Sequence, residues 1–330
     1  MRIRRRLLVL VSAMIGVALF VYVVRQTGVA EIGARLRSLG FGFLLILAIS
    51  ALRYFARSLA WRRCMAPEDR RLGTVALWRA RLAGEALGDL TFGPVVAEPL
   101  RLVALGDRLS LSSGISSLAV ENIAYAVSSC LLVMAGAMIW LANFGLNGAV
   151  GTAIWVSLSL VSTVVIASLA LIGYRVRLVS GAGTALKRTW LGQGTRGRMM
   201  EETLRNLREA EEYVFDFFSR RPFDFLLVIC CELAFHLGGV IEIYATLRMI
   251  GLDLTLAAAL MLESVNRAIN IAFIFVPVLV GVDETGTGLV AAALGLGGAA
   301  GVTLAIIRKI RMFFWIGVGL IFWAVSRKDR

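Results

Sequence analysis

The sequence predicts an all-α, polytopic integral membrane protein with about six full spans and two re-entrant helical hairpins in an inverted repeat. Three observations carry this expectation. Hydrophobic residues make up 58% of the chain and are gathered into apolar runs near the roughly 20 residues that cross a bilayer core as a helix. Two stretches, 81–108 and 261–311, interrupt that pattern with proline, glycine and charge. The formal charge of +13 is concentrated at the ends of apolar runs, as expected of a chain oriented by its cytoplasmic loops. That distribution excludes nucleic acid as a partner.

Taken in order, Met1–Arg6 is a basic head and Leu7–Val24 an apolar run of 18 residues. The run is too long for a signal-peptide core and no small-residue cleavage site follows, so it is expected to remain as the first span. Phe41–Ala60 makes a second span with Ser50, Arg53 and Arg57 on one face, and Trp61, Arg62 and Arg63 mark its exit at an interface. Further spans are expected at about 112–141, bearing Glu121 and Asn122, at 150–173, at 223–247 with Glu232, His236 and Glu242, and at 302–324. Residues 175–221 form the one long polar segment, with ten basic and six acidic residues. Glycines at 181–197 read as a connector. Leu204, Leu207, Val214 and Phe218 then fall on helical spacing, which fits either an amphipathic helix on the membrane surface or a solvated linker helix.

The two broken stretches hold the candidate site. In the first, Arg81, Glu85 and Asp89 lie on one helical face, after which Gly93-Pro94 and Pro99 interrupt the pattern around Glu98, with Arg101 beyond. In the second, Glu263, Asn266, Arg267 and Asn270 make one polar stripe. Pro277 and Gly281 then open the helix ahead of Asp283 and Glu284, and Arg308, Lys309 and Arg311 follow in an apolar run. A charge at mid-bilayer costs roughly 2.5–3.5 kcal/mol on insertion scales, and opened backbone survives there only inside protein or beside a wet cavity. Both stretches are therefore expected to be re-entrant and to face a polar interior.

With the hairpins returning to their own sides, loops 1–6, 61–71, 175–221 and 327–330 hold 21 basic residues against four in 25–40, 142–149 and 248–254. Both termini are then cytoplasmic. Span 41–60, hairpin 75–107 and span 112–141 repeat in order as span 223–247, hairpin 255–300 and span 302–324, with opposite entry sides. Inverted repeats with broken helices meeting at the midplane belong to alternating-access transporters.

GEALGDLTFGPVVAEPLRLVALG at 84–106 and FVPVLVGVDETGTGLVAAALG at 275–295, followed by the basic span at 308–311, resemble the flippase-like transmembrane region of lysylphosphatidylglycerol synthases and its free-standing relatives. The resemblance covers nearly the whole chain, 1–330, as one lipid flippase-like domain. It maps the family's first motif to Gly84, Glu85, Pro94 and Glu98, and its second to Pro277, Gly281 and Glu284. Val278 and Leu279 stand where the family usually has glycines. The resemblance implies a bacterial-type cytoplasmic (inner) membrane protein that moves or presents lipid beside lipid-modifying or glycosyl-transferring enzymes. The chain ends at Arg330, before the soluble aminoacyl-transferring domain of full-length relatives.

Function divides into two readings. In the first, a lipid flippase or transporter binds an anionic (phospho)lipid or lipid carrier through Arg53, Arg57, Glu85, Asp89, Pro94, Glu98, Arg101, Glu121, Glu232, His236, Glu263, Arg267, Asn270, Pro277, Gly281, Glu284, Arg308 and Arg311, with guanidinium forks on the phosphate. In the second, a non-transporting partner docks a lipid- or glycan-synthesising enzyme through 175–221. The same charges read as closed ion pairs would only hold helices together. His236, four residues after Glu232, fits a proton relay or a helix–helix hydrogen bond. Cys64, Cys130, Cys230 and Cys231 form no C-x-x-C pair, and no Ser-His-Asp order or phosphate-binding glycine loop is present. No enzymatic activity, metal or cofactor is expected.

Overall fold

The computed structural model describes residues 39–91, 94–145, 195–272 and 282–328, with isolated positions at 37, 152, 159, 162 and 163. The expected spans at 7–24 and about 150–173, and Gly93, Pro277 and Gly281, lie outside the described residues. Within the described residues the chain is helical without strands. Its α-helices are α1 (Gly42–Cys64), α2 (Thr74–Asp89), α3 (Pro94–Leu105), α4 (Leu111–Phe144), α5 (Thr195–Arg220), α6 (Pro222–Met249), α7 (Leu256–Ala272), α8 (Val282–Ala293) and α9 (Gly298–Lys328). Of these, α1, α4 and α6 are long and apolar enough to cross a membrane. The expected span 302–324 lies inside α9, a continuous helix of 31 residues that carries Arg308, Lys309 and Arg311 in its interior.

Local chemistry explains the ends of these helices. Ser110 caps α4 by accepting a hydrogen bond from the Ser113 amide at 3.1 Å, and Gly145, at φ +67°, ends it in the left-handed region where a side chain is disfavoured. Pro222 opens α6 at the first turn, where its missing N–H costs nothing. The expected break around Glu98 falls earlier. α3 starts at Pro94 and runs through Pro99, whose missing donor removes one early-turn hydrogen bond without ending the helix.

Burial is inverted relative to a soluble protein. Leu44, Leu52, Leu226, Ile241 and Ile321 are exposed, whereas Arg53, Arg57, Arg81, Glu121, Glu232 and Glu263 are buried. An apolar outside around a charged inside suits a hydrocarbon solvent. Trp61 does not sit at an interface. It is fully buried among Leu77, Ala80 and Leu118, and its indole N–H donates to Ser117 Oγ at 3.1 Å.

The helix pairing has a simple order. α1 packs along α6, and most of the remaining contacts come in matched sets: α1 on α2 and α6 on α7, α2 on α3 and α7 on α8, α3 on α4 and α8 on α9, α1 on α4 and α6 on α9, and α2 on α9 and α7 on α4. Exchanging α1–α4 with α6–α9 leaves these five sets unchanged, while the packing of α4 on α6 and of α3 on α9 falls outside them. α1 and α6 run antiparallel, since Gly42 meets Met249 near one end while Arg53 meets Glu242 and Arg57 meets Glu232 further along.

α5 lies outside this scheme, against α4 and α6. Its apolar face is covered by protein: Val214 and Phe217 join Ala60, Cys64, Val120, Ala124 and Val228 in one buried cluster. Burial of such side chains contributes roughly 1.5–3 kcal/mol each. The Tyr213 hydroxyl donates to the Cys64 carbonyl at 2.7 Å, and Ser112 donates to Glu209 at 2.7 Å. Partial burial pushes the Tyr213 phenol up to about 12.

Candidate functional site

Charged side chains from every helix of the exchange-related set meet in the interior, where they form three clusters. The first gathers Arg57 of α1, Arg81 and Glu85 of α2, Arg101 of α3, Glu121 of α4 and Glu232 of α6. Glu121 Oε1 accepts from Arg57 Nη2 at 2.6 Å and Nε at 3.1 Å, and from Arg81 Nη2 at 3.0 Å. Arg101 Nη2 donates to Glu85 at 3.0 Å and its Nη1 lies 3.9 Å from Glu121 Oε2. Glu232 stands 3.3 Å from Arg57. α2 and α3 approach closely enough for this because position 84 is glycine, where a Cβ would stand 2.6 Å from the Ala97 carbonyl oxygen.

The second cluster joins Arg53, Glu242, Glu263, Arg267 and Arg311. Arg53 donates to Glu242 at 2.6 Å and to the Phe235 carbonyl at 3.0 Å, and lies 3.7 Å from Glu263. Arg267 grips Glu263 Oε1 through Nε at 2.9 Å and Nη2 at 2.7 Å, and donates to the Tyr125 hydroxyl at 3.1 Å. Arg311 pairs with Glu242. Gly238 and Gly239 make room, for a Cβ at 239 would stand 2.5 Å from Glu263 Oε1 and 2.9 Å from Arg53 Nη2.

The third cluster lies between α8 and α9. Arg308 donates to Asp283 and to Thr287, each at 3.4 Å, and Lys309 pairs with Glu284. It has a counterpart between α3 and α4, where Asn122 donates to Glu98 at 2.6 Å beside the Arg101–Glu121 contact. In both places the partners on the short helix are three residues apart, 98 and 101 or 284 and 287, and those on the long helix are adjacent, 121 and 122 or 308 and 309.

Most of the residues singled out from sequence therefore sit in one charged interior, though divided among separate clusters. Asp89 is the last residue of α2 and half-buried, and Asn270 turns back to the Asn266 carbonyl at 2.6 Å. Pro94 forms the first turn of α3. His236 does not bond Glu232. Its Nε2 lies 3.2 Å from both Ser128 and Ser129 of α4, and its ring stacks on Tyr125. Arg81, Tyr125, Glu242, Asp283 and Lys309 complete the clusters, although none of them was among the residues expected to bind lipid. Arg81 was legible from its four-residue spacing to Glu85, and Asp283 from its place beside Glu284; Tyr125 carries no comparable signal.

These groups are not saturated. Arg81 Nε, Arg101 Nε and Nη1, Arg308 Nη2 and Arg311 Nε are buried donors without a hydrogen-bond partner among the described residues, as are the acceptors Glu121 Oε2 and both oxygens of Glu232. Buried polar atoms left unpaired are costly. Unused guanidinium donors match the oxygens of a phosphate.

No curated protein and no solved structure matches the chain. A family model does, that of the lysylphosphatidylglycerol synthase transmembrane region, over residues 9–320. With its membrane-length helices and charged interior, the chain is a multi-pass membrane protein and belongs to the lysylphosphatidylglycerol synthase transmembrane-region family.

Proposed function

We propose that this protein is a flippase-type lipid transporter of the cytoplasmic membrane, which moves or presents an anionic lipid or lipid carrier and carries out no reaction of its own. The observation that carries the reading is the exchange of α1–α4 with α6–α9. Two sets of helices that share most of their pairing, joined through the antiparallel α1 and α6, support reading the chain as an inverted repeat with α2–α3 and α7–α8 as its re-entrant hairpins. Rocking one such set against the other is how inverted-repeat transporters alternate access. The paired charges at the junction are groups that can exchange partners between two arrangements. The unused donors of Arg81, Arg101 and Arg308 favour a phosphate-bearing headgroup as the species that enters. Both termini and α5 lie in the cytoplasm on this reading, following the basic-residue bias.

The test is lipid movement in reconstituted vesicles carrying a fluorescent anionic phospholipid. Glu284→Gln and Arg308→Gln are expected to accumulate in the membrane and to lose most of that movement. Variants that move lipid as fast as the parent would overturn the site. A parent that moves no lipid but copurifies with a lipid- or glycan-synthesising enzyme would establish the scaffold reading. The exposed outer face of α5, with Arg205 and Arg208, is where such an enzyme would dock.

A further inference from the structure

The interior clusters are packed against their own counter-ions, but a cavity of about 550 Å³ opens elsewhere, between the first turns of α2, the turn after α3 and the last turns of α9. We propose that this cavity binds the phosphate headgroup of an anionic lipid, with Arg79 and Arg108 as its ligands. The inference rests on the lipid-handling reading but concerns residues outside the ion-pair clusters.

Three features support it. Arg79 and Arg108 both line the cavity and are exposed, and neither has a carboxylate partner among the described residues, unlike the arginines of the interior. The Arg79 guanidinium lies over the Phe322 ring, 5.1 Å from its centroid, which holds the planar fork in place while leaving its edge free for oxygen ligands. Gly106, at φ +61°, turns the chain after α3 and brings Asp107 and Arg108 to the cavity wall. With Asp107 counted against the two arginines, the described residues of the lining carry one net positive charge. That matches the single negative charge of a phosphodiester.

The surroundings separate a lipid from a free anion. Ala76, Ala80 and Ala83 leave the cavity wide on the α2 side, and Phe322 and Val325 line the other. Val103 and Val325 are 46% and 44% exposed, and Ile321 is 63% exposed, so the cavity lies beside an apolar surface. An amphiphile with its phosphate at Arg79 and Arg108 would lay its chains over these residues, whereas inorganic phosphate would leave them bare.

The test is native mass spectrometry of the detergent-solubilised full chain titrated with phosphatidylglycerol, with phosphatidylcholine and inorganic phosphate as comparisons. The parent should retain phosphatidylglycerol in preference to phosphatidylcholine. The Arg79→Gln/Arg108→Gln double variant should lose about tenfold of that preference, of the order expected for two charge-assisted contacts. Both positions are exposed, so the variant should unfold at the parent's temperature. Equal retention of the two lipids by the parent, or an unchanged preference in the double variant, overturns the proposal. Displacement of the lipid by equimolar inorganic phosphate would overturn the lipid as occupant and leave a phosphate site. Binding and movement are read separately: a parent that binds through Arg79 and Arg108 but moves no lipid refutes the transporter and keeps this site.

Discussion

Removing the charge of Glu121 should destabilise the protein more than removing that of Glu284. Glu121 is fully buried, accepts from Arg57 and Arg81 at 2.6–3.1 Å, and faces Arg101 at 3.9 Å. Glutamine keeps the shape but turns three guanidiniums toward Glu85 and Glu232 alone, which strands one buried positive charge. Breaking a buried pair from one side costs roughly 3–5 kcal/mol, or about two to four powers of ten in the folding equilibrium at about 1.4 kcal/mol each. The Glu284 side chain is 22% exposed although Lys309 is only 8% exposed, so water reaches one end of the pair and the loss should be smaller, roughly 1–3 kcal/mol. Adding Arg81→Gln to Glu121→Gln restores two cations against two carboxylates and should recover part of the loss. Thermal unfolding can be followed with a thiol-reactive dye, because Cys64 and Cys130 are buried at 0% and 6% exposure. Replacing Cys230 and Cys231 by serine in every variant removes the accessible thiols. If Glu121→Gln unfolds at the parent's temperature, or Glu284→Gln falls as far as Glu121→Gln, the ranking by burial is wrong.

Three further outcomes are expected. A cysteine at Ser219, exposed on α5, should label with an impermeant maleimide only from the cytoplasmic side; labelling from outside alone would invert the topology. Gly319→Ala should destabilise without remedy, because its Cβ meets the Leu82 carbonyl oxygen of α2. Gly136→Ala, whose Cβ meets the Ser264 side chain, should be relieved by Ser264→Gly, and equal relief by Leu82→Ala at Gly319→Ala would refute the backbone contact. The Tyr213 phenol is raised to about 12 in the folded protein against about 10 unfolded. Its contribution is therefore complete below about pH 10 and lost as pH rises through the folded value. Unfolding temperatures of the parent and Tyr213→Phe should converge over that window, and a gap that stays constant would show that the hydroxyl does not titrate with folding.

Membrane class and helix type were settled by the sequence, because length, apolarity and the cost of charge in hydrocarbon act within a single segment. The same holds for the polar faces of Arg81–Asp89 and Glu263–Asn270, where helical period alone puts the charges on one side. Pairing is a different kind of information. Arg57 meets Glu121 across 64 residues and Arg53 meets Glu242 across 189, and many guanidiniums on polar faces could serve each carboxylate. Packing decides among them: Gly84 lets α2 approach α3, Gly238 and Gly239 admit Arg53 and Glu263, and Ser128 and Ser129 draw His236 away from Glu232. Trp61 and α5 carry the same lesson, since an aromatic at a span's end and an amphipathic helix look alike whether membrane or protein covers them. The cavity of Arg79 and Arg108 was hidden for the same reason. It is formed by residues of α2, the turn after α3 and the end of α9, segments that come together only when the helices pack.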